Sequence, residues 1–394
     1  MKRITLSSGI LSARGASMFY PGGEYLIPDE QRRTIIEEDK RSGFGFIASE
    51  EAFNPTNWKN TSATTLLVWN TGRLGDQLWT TAIIRKIKSL YPACKIDVVC
   101  QDIHRNIYLH NKDIRSFRSE PVPASILNSY DAYLIYDETV AKSTSGNCYE
   151  LLFKEAALPF SNNDCKPILH LKRKDELEAL TAAFANNSLG SFEANNTFVL
   201  LGLASEANTR NITAAQWANI IRLLEKKAAD IDGFKIFGIS YNAAGYELQR
   251  ALQRYNFSSY VSLHTVLSPR HFAALARIGM LVISVDTSYL HLAAAVDCPT
   301  VALMSTVPPE CRTTTYPACV NIYNRSACAH APCHFKRGSF SDLFGDELTI
   351  APCYTPQRIE CDILASLTTV EISNAIDLAI ESDPRPIDKA PLSI

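Results

Sequence analysis

The stretch VDTSYLHLAAA at residues 285–295 predicts the fold of this chain. The run 280–285 is short, apolar and rich in β-branched residues, as a buried strand is. Asp286, Thr287 and Ser288 are residue types that cap helices, and the alanine- and leucine-rich run after them favours a helix. A second apolar strand follows. The pattern therefore predicts a strand, a sharp polar turn, a helix and another strand, with the turn at the carboxyl edge of a sheet.

A turn of this kind is suited to an anion. The first N–H groups of the helix have no partner inside it, and the helix dipole is positive at that end. A diphosphate is a natural ligand there, since open α/β sheets bind nucleotides at the carboxyl ends of their strands. The alternative interpretation is that Asp286 and Thr287 only cap the helix.

A second stretch has the same organisation. The strand TLLVW at residues 65–69 runs into the turn NTGRLGD at 70–76. Apolar residues recur at helical spacing from Gln77 to Leu90, where Tyr-Pro ends the pattern. A second strand follows at 95–99, so the segment predicts a βαβ unit.

Together these stretches resemble the heptosyltransferases, which form glycosyltransferase family 9. The turn RLGDQLWTT at 73–81 is similar to the family's Arg-x-x-Gly-Asp-x-x-x-Thr pattern. The family's second signature, Asp-Thr-Gly-x-x-His-Leu-Ala-Ala-Ala, is matched by Asp286, Thr287 and His291 with the alanines that follow. Ser288 stands where the family has glycine, and MSTVP at 304–308 replaces the family's Phe-Gly-Pro-Thr. The fold that the resemblance implies does not depend on these changed residues.

A third match lies between the first two. The strand FVLLGL at 198–203 precedes Arg210, near the position at which the family has a lysine. A cation there would hold the phosphates of the donor, and arginine does so with two parallel hydrogen bonds. Glu247 lies near an acidic residue that the family uses around the donor, although its spacing differs.

The resemblance implies a GT-B enzyme, which has two Rossmann-like, doubly wound α/β domains facing across a cleft. It implies an ADP-heptose donor and transfer to an acceptor hydroxyl with inversion. Asp76 is the candidate general base, because a carboxylate in a partly desolvated turn can have a usefully raised pKa. Its structural alternative is an N-cap of a helix beginning at Gln77. Arg210, Asp286, Thr287, Ser288, His291 and Glu247 are the candidate donor-binding residues, and Arg73 is a candidate for phosphate or acceptor binding.

The 394 residues exceed what one core usually organises, so two domains are expected. Residues 1–60 are predicted to be an extension of short strands and turns. Residues 61–190 form the predicted Rossmann-like acceptor domain, which ends in a polar linker. Residues 191–394 form the predicted donor-binding domain, with a cysteine-rich segment at 328–361.

Charge and hydropathy exclude some classes of function. The net charge of −2 gives no overall basic field for nucleic acid or anionic membranes. No signal-peptide core and no run of roughly 18 apolar residues is present, so we expect a cytoplasmic protein without a transmembrane segment.

Five of the eleven cysteines lie between Cys319 and Cys361. In a cytoplasmic protein they are not expected to form disulfides. Cys328, Cys333, Cys353 and Cys361 offer four soft ligands, enough for structural zinc or iron, with scattered buried thiols as the alternative. Heptosyltransferases that modify autotransporter adhesins have a comparable iron-holding cluster and an amino-terminal extension, so the resemblance points to that branch. No catalytic metal is expected.

The sequence is also compatible with other functions. The changed residues at 288 and 304–308 favour a non-catalytic nucleotide- or metal-binding scaffold. Another nucleotide-sugar enzyme, such as an epimerase, would use the same fold. The acceptor is left as a protein serine, a lipopolysaccharide core sugar or a modified nucleic-acid base, and an oligomer is possible.

Overall fold

The computed structural model describes residues 64–136, 146–185, 197–263, 267–333 and 361–385, together with the short N-terminal segments 2–6, 11–13, 17–19, 24–27, 35–36, 47–52 and 57–58. The chain divides into two units, one of Met1–Lys142 with Cys148–Asp164 and one of Ser143–Asn147 with Cys165–Ile394. Each unit has a parallel sheet, as the alternating α/β pattern predicts. The domain boundaries after residues 60 and 190 stay predictions.

The elements of the first unit alternate between strands and helices after an N-terminal group of strands. They are β1 (Lys2–Leu6), β2 (Leu11–Ala13), β3 (Ser17–Phe19), β4 (Glu24–Ile27), β5 (Ile47–Ala52), β6 (Thr65–Asn70), α1 (Leu74–Leu90), β7 (Lys95–Val99), α2 (Arg105–Tyr108), β8 (Ile114–Arg118), β9 (Val122–Pro123), β10 (Ala132–Tyr136) and α3 (Cys148–Glu155). The strand predicted at 95–99 has those bounds, and the strand predicted at 65–69 is one residue longer.

Two four-stranded sheets organise this unit. The parallel sheet has the order β10-β6-β7-β8, with β6 and β10 on either side of the point where the order reverses. The N-terminal strands form an antiparallel sheet in the order β5-β1-β4-β9. Leu26 of β4 pairs with Val122 of β9 and packs against Leu67 and Trp69 of the parallel sheet. The predicted extension is therefore built of short strands, and β9 attaches it to the first unit.

The second unit contains one larger sheet. Its elements are α4 (Arg173–Ala185), β11 (Phe198–Gly202), α5 (Ala214–Lys227), β12 (Lys235–Ile239), α6 (Ala243–Leu252), β13 (Tyr260–Ser262), α7 (Pro269–Ile278), β14 (Leu281–Val285), α8 (Ser288–Ala294), β15 (Thr300–Leu303), β16 (Cys319–Ile322), α9 (Asp362–Ala365) and α10 (Thr369–Glu381). All six strands are parallel, in the order β13-β12-β11-β14-β15-β16.

Apolar side chains between this sheet and its helices form the core of the second unit. Val199 and Leu201 of β11 pack with Ile283 of β14 and with Trp217 of α5. The Trp217 indole Nε1 also donates to the carbonyl oxygen of Leu203 at 3.1 Å, which fixes α5 against the end of β11. Burial of such large side chains is the dominant stabilising contribution in a domain of this size.

Ion pairs hold α4 on α7 within the second unit. Arg270 is buried and donates from two guanidinium nitrogens to the Asp175 carboxylate at 2.7 and 2.8 Å. Arg277 donates to Glu176 at 2.7 Å. Paired, charge-assisted bonds of this kind fix orientation as well as adding energy. Helix α4 therefore packs with elements that follow it in the chain.

No helix in the described ranges has the length and apolar character needed to cross a bilayer.

Candidate functional site

The carboxyl edge of the second sheet has a point where the strand order reverses. β11 and β14 are neighbours there, and later strands are added outward on both sides of them. Loops that leave two such strands diverge and leave a crevice, the usual ligand site of an open α/β sheet. Two of the predicted donor-binding segments follow these same two strands.

The loop after β11 places Arg210. A 3₁₀ turn over Asn208–Arg210 ends at this residue. The loop is closed by Asn211, whose side chain accepts from the Ser205 N–H at 2.6 Å and donates to the Ser205 carbonyl oxygen at 3.0 Å. The Arg210 guanidinium is largely buried, and its Nη1 lies 3.3 Å from Oδ2 of Asp286. The structure thus brings together two residues 76 positions apart in the chain.

The loop after β14 supplies the anionic partner and a helix start. Asp286 is 2% exposed, and its Oδ2 has the Arg210 ion pair but no aligned hydrogen bond from any residue that the structure describes. Thr287 caps α8, with its hydroxyl accepting from the Tyr289 N–H at 3.3 Å. The helix begins at Ser288, before the alanine- and leucine-rich run that predicted it. The capping role of Thr287 is therefore confirmed.

His291 lies inside the second unit, with Asp286, Arg210 and Arg312 close enough for their charges to act on it. Its Nδ1 is 2.7 Å from the hydroxyl oxygen of Tyr316. Burial lowers the pKa of His291 to about 4, so the ring is neutral at pH 7. The nearby cations lower this pKa further, whereas the Asp286 carboxylate opposes the shift.

Arg312 and Tyr316 are the members of this cluster that sequence reasoning missed. Arg312 is 3% exposed and Tyr316 is 3% exposed. A buried arginine is rare unless it is paired. The position of Arg312 soon after an apolar strand is the sequence signal that would have identified it as a candidate site residue. That signal is weak in a sequence, because burial is decided by the surrounding tertiary structure.

Replacing His291 with asparagine should flatten the pH dependence of stability. The folded-state pKa of about 4 lies below the ordinary value of 6.5, so between these values the unfolded chain binds a proton that the folded chain does not. Stability is therefore lost as the pH falls from about 6.5 towards 4, by roughly 3 kcal/mol from this residue alone. Urea unfolding at pH 7.5 and pH 4.5 measures it. An equal loss of stability in the variant and the parent protein would contradict the assignment.

Four of the buried polar atoms that lack a hydrogen-bond partner among the described residues belong to residues just beyond strands of this sheet. They are the hydroxyls of Tyr241 after β12, Ser305 after β15 and Tyr323 after β16, and Oδ2 of Asp286 after β14. Buried polar groups nearly always have partners, so such atoms point to a ligand or ordered water. Glu247, the remaining predicted donor residue, is exposed on α6.

The turn after β6 in the first unit places Asp76. Helix α1 begins at Leu74, so the prediction of a start at Gln77 is wrong by one turn. Asp76 is the third helical residue, and its Oδ2 accepts from the N–H of Arg73, the N-cap residue, at 2.8 Å. The sequence predicted Asp76 as the N-cap residue, whereas its carboxylate caps the helix from the third helical position. Asp76 is partly exposed and Arg73 is exposed.

Two of the four predicted metal ligands flank segments that pack together. The 3₁₀ turn Arg325–Ala327, which Cys328 follows, packs against α9, which Cys361 precedes. Burial raises the pKa of Tyr323, and Cys333 and Cys361 add smaller increases to that pKa. Cys353 lies outside the described residues. Among the residues that are described, no three Cys, His, Asp or Glu side chains are grouped closely enough to hold a metal.

The comparison with known structures supports the fold. Escherichia coli ADP-heptose lipopolysaccharide heptosyltransferase II shares 12% identity with this chain and has a TM-score of 0.54, and the match covers 80% of this chain and 98% of that one. The dodecameric iron-containing glycosyltransferase TibC of enterotoxigenic E. coli shares 13% identity with a TM-score of 0.53, and the match covers 86% of this chain and 81% of that one. A family 9 glycosyltransferase of Veillonella parvula shares 12% identity with a TM-score of 0.52, and the match covers 66% of this chain and 88% of that one.

At these identities the likeness establishes the fold alone, and that fold is GT-B. The predicted GT-B class is confirmed. No curated protein matches this chain in sequence. The family model described as glycosyltransferase family 9 (heptosyltransferase) matches residues 148–340, which include Arg210 and the turn at Asp286. The resemblance inferred from the sequence motifs is thereby confirmed: this chain has a GT-B fold, and its residues 148–340 match the model of glycosyltransferase family 9, the heptosyltransferase family.

Proposed function

We propose that this protein is an inverting glycosyltransferase that moves heptose from ADP-heptose to an acceptor hydroxyl, with Asp76 as the general base. The observation that carries the proposal is the Arg210–Asp286 pair at the point where the strand order of the second sheet reverses. A cation held at this edge, beside the start of α8, suits a diphosphate. The family match supplies the reaction class, and the heptosyltransferase TibC has been solved in complex with ADP-D-beta-D-heptose.

The second unit's residues act on the leaving group. Arg210 neutralises charge on the diphosphate as the bond between the anomeric carbon and the phosphate oxygen breaks. The N–H groups at Thr287 and Ser288 donate to the same group, and Asp286 holds the guanidinium of Arg210 until the diphosphate competes for it. His291, which is neutral, stabilises the position of this turn by its hydrogen bond with the Tyr316 hydroxyl. ADP then leaves with the electron pair of the broken bond.

The first unit's turn acts on the acceptor. The acceptor hydroxyl oxygen attacks the anomeric carbon from the face opposite the diphosphate, and its proton passes to the carboxylate of Asp76. One direct displacement of this kind inverts the anomeric configuration. Arg73, exposed beside Asp76, contacts the acceptor or a phosphate.

The acceptor, the metal site, the assembly and the location of the protein are also part of the proposal. The acceptor is a protein serine, a lipopolysaccharide core sugar or a modified nucleic-acid base, and the chemistry proposed here requires only its hydroxyl. Iron or zinc at Cys328, Cys333, Cys353 and Cys361 would be structural, and no step above uses a metal. TibC is iron-containing and dodecameric. This likeness supports iron at these cysteines and the assembly of this chain into an oligomer. We place the protein in the cytoplasm.

Calorimetric titration with ADP-heptose, UDP-glucose, GDP-mannose and ADP tests the donor assignment. We expect selective binding of ADP-heptose and a loss of about 10- to 100-fold in affinity in Arg210→Ala, the effect of losing a charge-assisted contact. Arg210→Lys keeps the charge and should lose less.

Arg222→Ala is the matched control. Arg222 is an exposed arginine of the same unit that stacks on Tyr255 and Phe257, so its loss should leave donor affinity unchanged. Binding of none of the four nucleotides would favour a non-catalytic scaffold. Conversion of ADP-heptose to an isomer without an acceptor would favour an epimerase.

A further inference from the structure

The Asp76 side chain lies directly against the backbone of Gly72. A Cβ added to Gly72 would lie 2.4 Å from Oδ2 of Asp76 and 2.5 Å from its Cβ, closer than atoms of real side chains approach. The φ angle of Gly72 is not the reason for a glycine here. Only a residue without a side chain leaves room for the carboxylate in its present position, where it also accepts from the Arg73 N–H.

The residue after Asp76 ties this turn to the end of β6. The Gln77 side-chain amide is 2% exposed and donates to the carbonyl oxygens of Asn70 and Gly72, the latter at 3.1 Å. The Asn70 side chain closes the same turn, accepting from the Gly72 N–H at 2.8 Å and donating to the Asp76 carbonyl oxygen at 3.0 Å. Both ends of the turn are therefore fixed by buried amides.

Tyr108 sets the orientation of the Gln77 amide from a different helix. This tyrosine of α2 is fully buried, and its hydroxyl oxygen lies 2.7 Å from Oε1 of Gln77 and 3.1 Å from the Gln77 carbonyl oxygen. With Oε1 accepting from this hydroxyl, the Nε2 group must face the two carbonyl oxygens of the turn. A chain of hydrogen bonds thus runs from α2 through Gln77 to the backbone that carries Asp76.

We infer that Gly72, Gln77 and Tyr108 are positioning residues for the general base, acting through Asp76 rather than on the substrate. The inference rests on the proposed function of Asp76. Its physical basis is that a reacting group displaced by about 1 Å can lose on the order of 10²-fold in rate. Gln77 stands at an unspecified position of the family pattern at 73–81, and Gly72 and Tyr108 lie outside that pattern.

The test compares Tyr108→Phe, Asp76→Asn and the double variant, with ADP release from ADP-heptose in water as the assay and water as the attacking hydroxyl. We expect Tyr108→Phe to lower kcat about tenfold with the donor KM changed less than twofold. In the Asp76→Asn background the same change should have no further effect, because groups that act through one residue are not additive. Gly72→Ala should lower kcat at least as much, and it carries the test if Tyr108→Phe fails to fold.

Tyr136→Phe is the control. Tyr136 is equally buried in the same unit, and its hydroxyl donates to the Leu152 carbonyl oxygen at 3.2 Å. The kcat of the Tyr136→Phe variant should equal that of the parent protein. The inference is overturned if Tyr108→Phe leaves kcat unaltered, lowers it equally in the Asp76→Asn background, or matches Tyr136→Phe. Normal ADP release by Asp76→Asn would instead defeat the assignment of the base itself, so the two failures are distinct.

Discussion

Asp76→Asn should lower ADP release from ADP-heptose by about 10²- to 10⁴-fold, with little change in the donor KM. An amide cannot take the proton of the attacking hydroxyl, and general base catalysis typically contributes a factor of this size. The donor KM should hold because the residues proposed to bind the donor, Arg210 and Thr287, belong to the other unit. Initial rates over a range of donor concentrations, followed by ADP release, measure both quantities.

The substitution separates chemistry from structure. In Asp76→Asn the side-chain oxygen can still accept from the Arg73 N–H, so the start of α1 keeps its cap. Asp76→Ala would lose that bond as well and should destabilise the protein by about 1 kcal/mol. A rate loss shared by both variants, with a stability loss only in Asp76→Ala, would assign the carboxylate to catalysis.

Glu371→Gln is the matched control for a carboxylate at this helical position. Glu371 is the third residue of α10, and its Oε2 accepts from the N–H of the cap residue Thr368 at 2.9 Å, as Asp76 does at α1. Hydrogen bonds from Thr368 lower the pKa of Glu371, which marks a stabilised capping carboxylate. Its replacement should leave ADP release unchanged. An equally small effect in Asp76→Asn would reduce Asp76 to a cap and support the non-catalytic scaffold.

The strands at the centre of both sheets could be predicted because their sequences are continuous apolar runs. The strand Thr65–Asn70 and the strand ending at Val285 are buried on both faces, so their short apolar runs identify them. Helix starts were placed less well, since a cap is defined by backbone geometry. α1 begins at Leu74 behind an arginine, a residue type that does not mark an N-cap.

Long-range pairing could not be predicted. One partner of the N-terminal strand β4 is β9, a two-residue strand nearly a hundred positions away that contains a proline. The site shows the same limit. Motifs identified Arg210 and Asp286 separately, but their ion pair and the approach of Arg312 and Tyr316 to His291 depend on the packing of loops from several strands.

Gly245→Ala is expected to destabilise the second unit, although alanine has a higher helix propensity than glycine. Gly245 is buried in the first turn of α6, where alanine would ordinarily stabilise a helix by up to about 1 kcal/mol. A Cβ at this position would lie 1.6 Å from Oγ of Ser240 and 2.2 Å from its Cβ. Ser240 directly follows β12 and is 1% exposed, so it has no open space to move into.

We expect a net loss of about 2–3 kcal/mol in the free energy of unfolding, as for other overpacked sites. Ser240→Gly removes both atoms that clash and leaves a space for the new methyl group. Combined with Gly245→Ala, it should recover most of the lost stability, giving an interaction energy of about 2 kcal/mol in the double-mutant cycle. Urea unfolding of the parent, the two single variants and the double variant measures that energy.

The result also tests how α6 joins the candidate site. Asn242 caps α6 by accepting from the Gly245 N–H at 2.9 Å. It follows Tyr241, whose hydroxyl has no hydrogen-bond partner within the described part of the chain. The close contact of Gly245 with Ser240 therefore fixes where Tyr241 stands at the carboxyl edge. A Gly245→Ala protein as stable as the parent would mean that this turn is more open than the contact requires. Additive single effects would mean that Ser240 is not what excludes the methyl group.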